Sequence, residues 1–257
     1  MKIRKIKTKD PIAFTKLIPN LITLMGLTIG LSSIRFALDS KWEHAVCCTL
    51  VAAIFDGIDG RIARLFNATS NFGAELDSLC DFANFGICPA IIIYLWSFQQ
   101  YELKLISWAV ILLFVVCMAI RLARFNTSIF YEQEINNINS KYFSIGVPAP
   151  PGAILSLMPV MLDFEITNFL SFNIRPHTLM INIYVALIAI LLPSRLPTFL
   201  FKNVKIKSRY ILPFFIISAI IIINTLVYPW VTLPILGLLY MLSIPCCILI
   251  DKRIKLK

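Results

Sequence analysis

The sequence predicts an all-α integral membrane protein, folded as a polytopic bundle of about eight transmembrane helices. Hydrophobic residues make up 58% of its 257 positions and charged residues only 15%, and the mean hydropathy is +0.81. Soluble globular domains carry roughly 25% charged residues. A soluble chain of this length would need that missing charge on its surface, so a single membrane domain is expected.

The transmembrane helices are predicted from apolar runs, because crossing a hydrocarbon core takes roughly 20 helical residues. Each run is expected to be helical, since unpaired backbone groups are too costly in lipid. The fifth run is short and rich in proline. The runs cover residues 17–38, 43–64, 74–97, 105–123, 147–163, 176–193, 210–228 and 231–250.

The runs divide the chain into three segments. Residues 1–16 form a basic N-terminal segment, and residues 17–200 form a six-helix membrane core. Residues 201–257 form a basic loop, two additional transmembrane helices and a basic tail. The longest polar connection, residues 125–145, is expected to be a cytoplasmic loop and a candidate lid.

Basic residues orient the predicted helices. If the N-terminus is cytoplasmic, all but four of the 24 lysines and arginines lie on the cytoplasmic side. Cytoplasmic loops of membrane proteins carry such an excess, so both termini are expected in the cytoplasm. The net charge of +10 is therefore interpreted as a topology signal beside anionic lipid, and no nucleic-acid partner is expected. The four exceptions are Arg35, Lys41, Lys104 and Arg175.

Four aspartates lie near the adjoining ends of the second and third runs. Asp56 and Asp59 are three residues apart and Asp77 and Asp81 four apart, so each pair shares one face of a helix. The two helices are adjacent and antiparallel, and both pairs are predicted near the cytoplasmic end. The four carboxylates are therefore expected to converge.

Convergent carboxylates at low dielectric repel one another unless a cation holds them. An all-oxygen site suits Mg²⁺ or Mn²⁺, and two such ions can bridge a diphosphate. The pattern thus predicts phosphoryl-group transfer. Small residues at Gly57, Gly60, Ala63 and Gly73 would let a nucleotide approach the backbone, although tight helix packing explains glycines equally well. Arg64 offers a guanidinium fork for phosphate oxygens.

These residues resemble, at every fixed position, the signature of the CDP-alcohol phosphatidyltransferases. The matching stretch begins at Asp56 and ends at Asp81; its fixed positions are Asp56, Asp59, Gly60, Ala63, Arg64, Gly73, Asp77 and Asp81. Members of this family move a phosphatidyl group from CDP-diacylglycerol to an alcohol and release CMP, usually as homodimers. The resemblance extends over roughly residues 15–155.

The resemblance also implies roles for individual residues. Asp56, Asp59 and Asp77 would bind two Mg²⁺ or Mn²⁺ ions, and Asp81 would be both a ligand and the general base. The nucleotide and diphosphate would lie against the small residues and the arginine of the signature, which are Gly60, Ala63, Arg64 and Gly73.

Flanking segments resemble the phosphatidylserine synthases of the multi-span bacterial type, which indicates L-serine as the acceptor and a bacterial cell membrane as the location. The segments are 18–23, 76–81, 85–90, 121–126 and 146–151. Phe82 stands where relatives that use glycerol phosphate usually have lysine. Asn84 stands where serine is common in this subfamily, and it is a candidate serine-binding residue.

Arg121 and Arg124 are the other candidates for serine binding, because a guanidinium is the natural partner of a carboxylate. Both are predicted at the cytoplasmic end of the fourth run, level with the aspartates. The alternative is that both are ordinary positive-inside anchors.

Two alternative functions follow from the same residues. The first is the same reaction with another alcohol, such as glycerol 3-phosphate or inositol; a phosphate-bearing acceptor would call for an additional basic cluster. The second is a cation transporter. Transport would favour acids spread along the depth of several helices, whereas these acids lie within one short segment.

Overall fold

A computed structural model describes residues 17–66, 68, 70–100, 104–132, 143–170, 173–194, 197–199 and 210–255. The predicted basic segments at residues 1–16 and 201–209 and the middle of the predicted lid lie outside this range. The elements, in chain order, are α1 Ile18–Leu38, α2 Trp42–Leu65, α3 Asn71–Asp81, a π-helical segment Phe82–Ile87, α4 Cys88–Trp96, a 3₁₀ turn Phe98–Gln100, α5 Lys104–Glu132, β1 Phe143–Ile145, α6 Ala149–Ser156, α7 Met158–Leu170, α8 Thr178–Leu191, β2 Pro197–Phe199, α9 Ile211–Val227 and α10 Pro229–Lys255.

The helical bundle confirms the predicted fold class, and each of the eight apolar runs coincides with a helical segment. In the described part of the chain, four helices are long and apolar enough to cross a membrane: Ile18–Leu38, Asn71–Trp96, Lys104–Thr127 and Ala149–Thr167. The third run is one continuous rod made of α3, the π-helical segment and α4. The chain is thus an integral membrane protein of several spans.

The fifth run is interrupted at Leu157, between α6 and α7. Pro159 has no backbone N–H and cannot donate to the carbonyl of Leu155, four residues earlier. The Tyr184 hydroxyl of α8 donates to that carbonyl instead, at 2.8 Å. A side chain from a neighbouring helix therefore satisfies the acceptor that the proline leaves open.

The prediction that residues 125–145 form a loop is wrong at both ends of that segment. Helix α5 continues to Glu132, and Phe143–Ile145 pairs antiparallel with Pro197–Phe199 in a two-stranded ribbon. Polar residues after Phe125 indicated a loop, but Asn126 is hydrogen-bonded to Ser78 of α3 through Nδ2 and Oγ, 2.9 Å apart. This tertiary contact favours continuation of the helix.

Small residues set the packing of the bundle around its motif end, which is defined as the end where α2 and α3 meet. At Gly26, a Cβ atom would lie 3.1 Å from Cβ of Phe55, so α1 and α2 are in close contact there. At Gly86, it would lie 3.2 Å from Cγ of Met118, which brings α5 close to the π-helical segment. Within the part of the chain that the structure describes, helix α9 buries no residue, and its one larger contact is with α10.

Candidate metal centre

The four signature aspartates converge on one small cavity between α1, α2 and α3. Asp56 and Asp59 reach it from α2, and Asp77 and Asp81 reach it from α3. One carboxylate oxygen each of Asp56, Asp59 and Asp77 lie within 4.8 Å of one another. The spacing of the two pairs in the sequence therefore does place the four carboxylates together. The other lining residues are Thr23, Gly26, Ala52, Cys80 and Asn84.

Asp81 stands apart from the three-carboxylate group. Its carboxyl lies in hydrogen-bonding contact with that of Asp56. The guanidinium of Arg121 interacts electrostatically with both of these carboxylates. Asp81 and Asp56 therefore have a protein cation near them, whereas the charged neighbours of Asp59 and Asp77 are other aspartates.

Helix α1 contributes a residue that the sequence did not indicate. Thr23 Oγ1 donates a hydrogen bond of 2.6 Å to Oδ2 of Asp59, which is only 4% exposed. The contact depends on Gly26, one turn further along α1, which allows α1 to approach α2. The hydroxyl of Thr23 within an otherwise apolar run was the signal in the sequence that could have indicated this role. The sequence analysis used segment 18–23 only as evidence of family resemblance.

The residues fit a divalent cation. Three close, partly or fully buried carboxylates offer only oxygen donors, which is the donor set that Mg²⁺ and Mn²⁺ prefer. Without a cation their mutual repulsion at low dielectric would oppose ionisation of all three. Thr23 holds one carboxylate oxygen of Asp59 and leaves the other oxygen available.

The glycines of the signature differ in their surroundings. Gly57 and Gly60 are exposed, and a Cβ atom at either would meet no atom of the described residues within 4 Å, so packing among the described helices does not explain them. Gly73 is packed: a Cβ there would lie 3.0 Å from Oδ1 of Asn20. Its N–H also donates to Ser70 Oγ at 3.0 Å, which caps α3. The α2 surface beside the aspartates is thus open over Gly57 and Gly60.

The two other predicted nucleotide-binding residues lie on the last two turns of α2. Arg64 is exposed, and its Nε donates to the carbonyl of Gly60 at 3.0 Å. Ala63 is half-buried, and its carbonyl accepts a hydrogen bond of 2.8 Å from the N–H of Ala68. The Arg64 side chain therefore lies along the open surface of α2.

The candidate serine-binding residues occupy three different environments. Asn84 lines the cavity one turn after Asp81, is 3% exposed, and its Oδ1 has no hydrogen-bond partner among the described atoms. Arg121 is half-buried beside Asp81, one turn after Met118. Arg124 is exposed, and its Nη1 donates to the carbonyl of Pro193. The structure thus brings Asn84 and Arg121 to the aspartates and turns Arg124 towards the end of α8.

The Asn84 side chain packs closely against a glycine on α1. A Cβ atom at Gly30 would lie 2.1 Å from Oδ1 of Asn84, so only glycine leaves room for this amide. Ser33, one turn further along α1, is also fully buried. Asn84 therefore lies between the cavity and α1.

Comparison with known proteins gives a consistent result. The family model described as CDP-alcohol phosphatidyltransferase matches residues 16–249. Three related proteins bear the name CDP-diacylglycerol–serine O-phosphatidyltransferase. The Mycobacterium leprae protein is 32% identical over 235 residues, covering 91% of this chain and 75% of the relative. The Helicobacter pylori 26695 protein is 37% identical over 218 residues, covering 84% and 86%. The Methanocaldococcus jannaschii protein is 35% identical over 138 residues, covering 54% and 57%.

Proposed function

The chain belongs to the CDP-alcohol phosphatidyltransferase family, and from this premise we propose that it transfers the phosphatidyl group of CDP-diacylglycerol to the hydroxyl of L-serine. The products are phosphatidylserine and CMP. The observation that carries the proposal is the cavity in which the four signature aspartates meet. The names of the relatives support serine as the acceptor.

Two divalent cations, Mg²⁺ or Mn²⁺, complete the proposed site. Asp56, Asp59 and Asp77 hold them, with Asp81 as a further ligand; the distances among the first three support this assignment. When bound, the ions neutralise the diphosphate of CDP-diacylglycerol and the charge that develops on the leaving CMP. The open α2 surface at Gly57 and Gly60 gives the nucleotide access, and Arg64 lies along it.

Asp81 is proposed as the general base. It removes the proton from the serine hydroxyl, whose oxygen then attacks the phosphorus on the lipid side of the diphosphate. The bond between that phosphorus and the oxygen of CMP breaks, and CMP leaves with the bonding electrons. The position of Asp81 at the edge of the three-carboxylate group, next to Asn84 and Arg121, supports a role towards the acceptor alcohol.

Arg121 and Asn84 are proposed to bind serine. Arg121 presents a guanidinium to the serine carboxylate, and the partnerless Oδ1 of Asn84 accepts a hydrogen bond from the serine ammonium. Arg124 stays a candidate by sequence, but its bond to Pro193 directs it away from the cavity. Arg124 is therefore a matched control for Arg121, because both arginines lie on α5.

The acceptor is tested with the purified full-length protein, CDP-diacylglycerol in mixed micelles, Mn²⁺ or Mg²⁺, and a panel of alcohols. We expect CMP release to depend on L-serine and to produce phosphatidylserine. Glycerol 3-phosphate should support little release, since the described part of the cavity has no cluster of basic residues for a phosphate. Inositol should support little release because it has no carboxylate to pair with Arg121. If glycerol 3-phosphate or inositol is used in preference to serine, that alcohol is the acceptor. If none of the alcohols gives CMP release, the protein does not have the proposed enzyme activity.

The chain is an integral membrane protein, and we propose that it lies in a bacterial cell membrane with both termini and the aspartates on the cytoplasmic side. The distribution of basic residues supports this orientation. We also propose a homodimer, which cross-linking in membranes would reveal as a species of twice the chain mass. The last two helices are proposed as an addition to a six-helix core.

The proposed orientation predicts which side of the membrane each connection faces. In a variant without the seven native cysteines, Ser40→Cys should react with an impermeant thiol reagent added from outside. Asn137→Cys should react only after the membrane is opened. Labelling of Asn137→Cys in intact cells would show that the orientation is reversed.

A further inference from the structure

Thr23 of α1 is buried at the edge of the aspartate cavity, and its hydroxyl has two acceptors within reach. Oγ1 lies 2.6 Å from Oδ2 of Asp59 on α2 and 3.1 Å from the carbonyl oxygen of Pro19, one turn earlier on α1. A hydroxyl has a single proton to donate. Hydrogen bonds from a hydroxyl to an ionised carboxylate are the shorter and stronger ones, roughly 2.5 to 2.7 Å long. The Thr23 proton therefore goes to Asp59.

The packing of α1 on α2 keeps the two groups together. Gly26 follows Thr23 by three residues, so both lie on one face of α1. A Cβ atom at Gly26 would lie 3.1 Å from Cβ of Phe55, which is one turn before Asp59 on α2. Asp59 is itself nearly fully buried, so bulk water has little access to the oxygen that Thr23 holds. The fold therefore supplies a protein donor for Oδ2.

The hydrogen bond gives the two oxygens of the Asp59 carboxylate different tasks. Oδ2 accepts the proton of Thr23, which leaves Oδ1 as the better donor to a cation. Ca²⁺ takes more oxygen ligands than Mg²⁺ and often binds both oxygens of one carboxylate, whereas the smaller Mg²⁺ demands near-octahedral geometry. A carboxylate that offers one oxygen from a fixed position therefore suits the smaller ion.

We propose that Thr23 is a positioning residue of the metal centre, which keeps Asp59 a one-oxygen ligand and thereby favours Mg²⁺ and Mn²⁺ over Ca²⁺. The hydroxyl acts through Asp59 and touches neither the ion nor a substrate. This inference rests on the metal centre of the proposed function. It gives α1, which carries none of the four signature aspartates, a part in the choice of metal.

The test measures metal binding by the purified full-length protein in detergent, after treatment with EDTA and desalting. Electron paramagnetic resonance of free Mn²⁺ gives the Kd for Mn²⁺, and displacement of bound Mn²⁺ gives the Kd for Ca²⁺. Thr23→Val keeps the branched shape of the side chain and removes the hydroxyl. We expect it to raise the Kd for Mn²⁺ about 10- to 100-fold, as is typical when a residue that orients a metal ligand is lost. The Kd for Ca²⁺ should rise less, because Ca²⁺ can use the freed oxygen.

Three further variants separate this role from a general loss of structure. Thr23→Ala removes the hydroxyl with a smaller side chain that cannot clash, and it should show the same shift as Thr23→Val. Thr23→Ser keeps the hydroxyl and should retain the wild-type Kd values. Thr49→Val is the matched control on α2, because it removes another buried threonine hydroxyl, which donates to the carbonyl of Ala45 at 3.3 Å. It should leave both Kd values unchanged.

The proposal depends on the comparison between the two ions. An unchanged Kd for Mn²⁺ in Thr23→Val and Thr23→Ala would overturn it, and so would an equal rise for Mn²⁺ and Ca²⁺. A loss of Mn²⁺ affinity in Thr23→Ser or Thr49→Val as large as in Thr23→Val would also overturn it, because the hydroxyl bonded to Asp59 would then not be the cause.

The proposed function can fail independently, since the titration contains neither CDP-diacylglycerol nor serine. If the wild-type protein binds Mn²⁺ but releases no CMP with any alcohol, the proposed activity is wrong and the variants still decide the role of Thr23. If the wild-type protein releases CMP and the threonine variants bind both ions normally, the activity stands and the role of Thr23 is wrong.

Discussion

Asp81→Asn is expected to lower kcat by roughly 10² to 10⁴ while leaving the affinity for CDP-diacylglycerol nearly unchanged. Asparagine keeps an oxygen of similar size and position but cannot accept the serine proton. Asp81 lies outside the three-carboxylate group, so the principal metal ligands stay in place. The measurement is kcat together with binding of CDP-diacylglycerol across a Mn²⁺ titration.

Asp56→Asn is the matched control, since it makes the same chemical change within the three-carboxylate group. Its defect is expected to be a weaker metal site, which high Mn²⁺ should partly restore. High Mn²⁺ should not restore Asp81→Asn. If metal rescues both variants equally, or if Asp81→Asn retains near-normal kcat, Asp81 is only another ligand and Asp77 becomes the next candidate for the base.

Removal of divalent metal is expected to abolish turnover completely. The oxygens of Asp56, Asp59 and Asp77 lie within 4.8 Å of one another, and a cation is needed to hold such carboxylates together in their ionised form. Incubation with EDTA followed by desalting should give inactive protein, and Mg²⁺ or Mn²⁺ should restore CMP release. The metal-free protein should also have a lower thermal midpoint, because a ligand that binds only the folded state stabilises it.

A monovalent salt at equal ionic strength is the control for this experiment. It screens charge but does not supply a hard divalent centre, so it should restore neither activity nor the thermal midpoint. Full turnover in thoroughly chelated buffer would contradict the metal-dependent mechanism.

The sequence predicted the helical fold because lipid imposes a strong constraint on it. An apolar run of sufficient length has to be helical, and all eight runs were assigned on that ground. Interruptions within helices depend on tertiary contacts and were not predicted. At the break at Leu157 the Tyr184 hydroxyl of α8 donates to the carbonyl of Leu155, and the continuation of α5 past Phe125 involves the bond between Asn126 and Ser78.

The aspartate cluster was predictable because two local spacings and one antiparallel turn suffice to bring the carboxylates together. Thr23 was not predicted, since its bond to Asp59 requires the close contact between α1 and α2 at Gly26. The different environments of Arg121 and Arg124 could not be predicted from the sequence either. Three residues of separation place both on one side of α5, and only the contacts with Asp81 and Pro193 distinguish them.

The π-helical segment Phe82–Ile87 joins the half of the third span that carries the aspartates to the half that packs into the core. Its wider i to i+5 hydrogen bonding accommodates an extra residue between α3, which carries Asp77 and Asp81, and α4, which packs Ile92 and Trp96 into the core. Because the π-helical turn takes up the extra residue, deleting one residue here should convert the segment to ordinary α-helix and keep α3 and α4 in phase, with Ile92 and Trp96 still in the core. Deleting one residue within α4 itself should instead turn the rest of that helix by about 100° and lower the yield of folded protein. The wider turn therefore confines the extra residue to the middle of the span, between the half that carries the aspartates and the half that packs into the core.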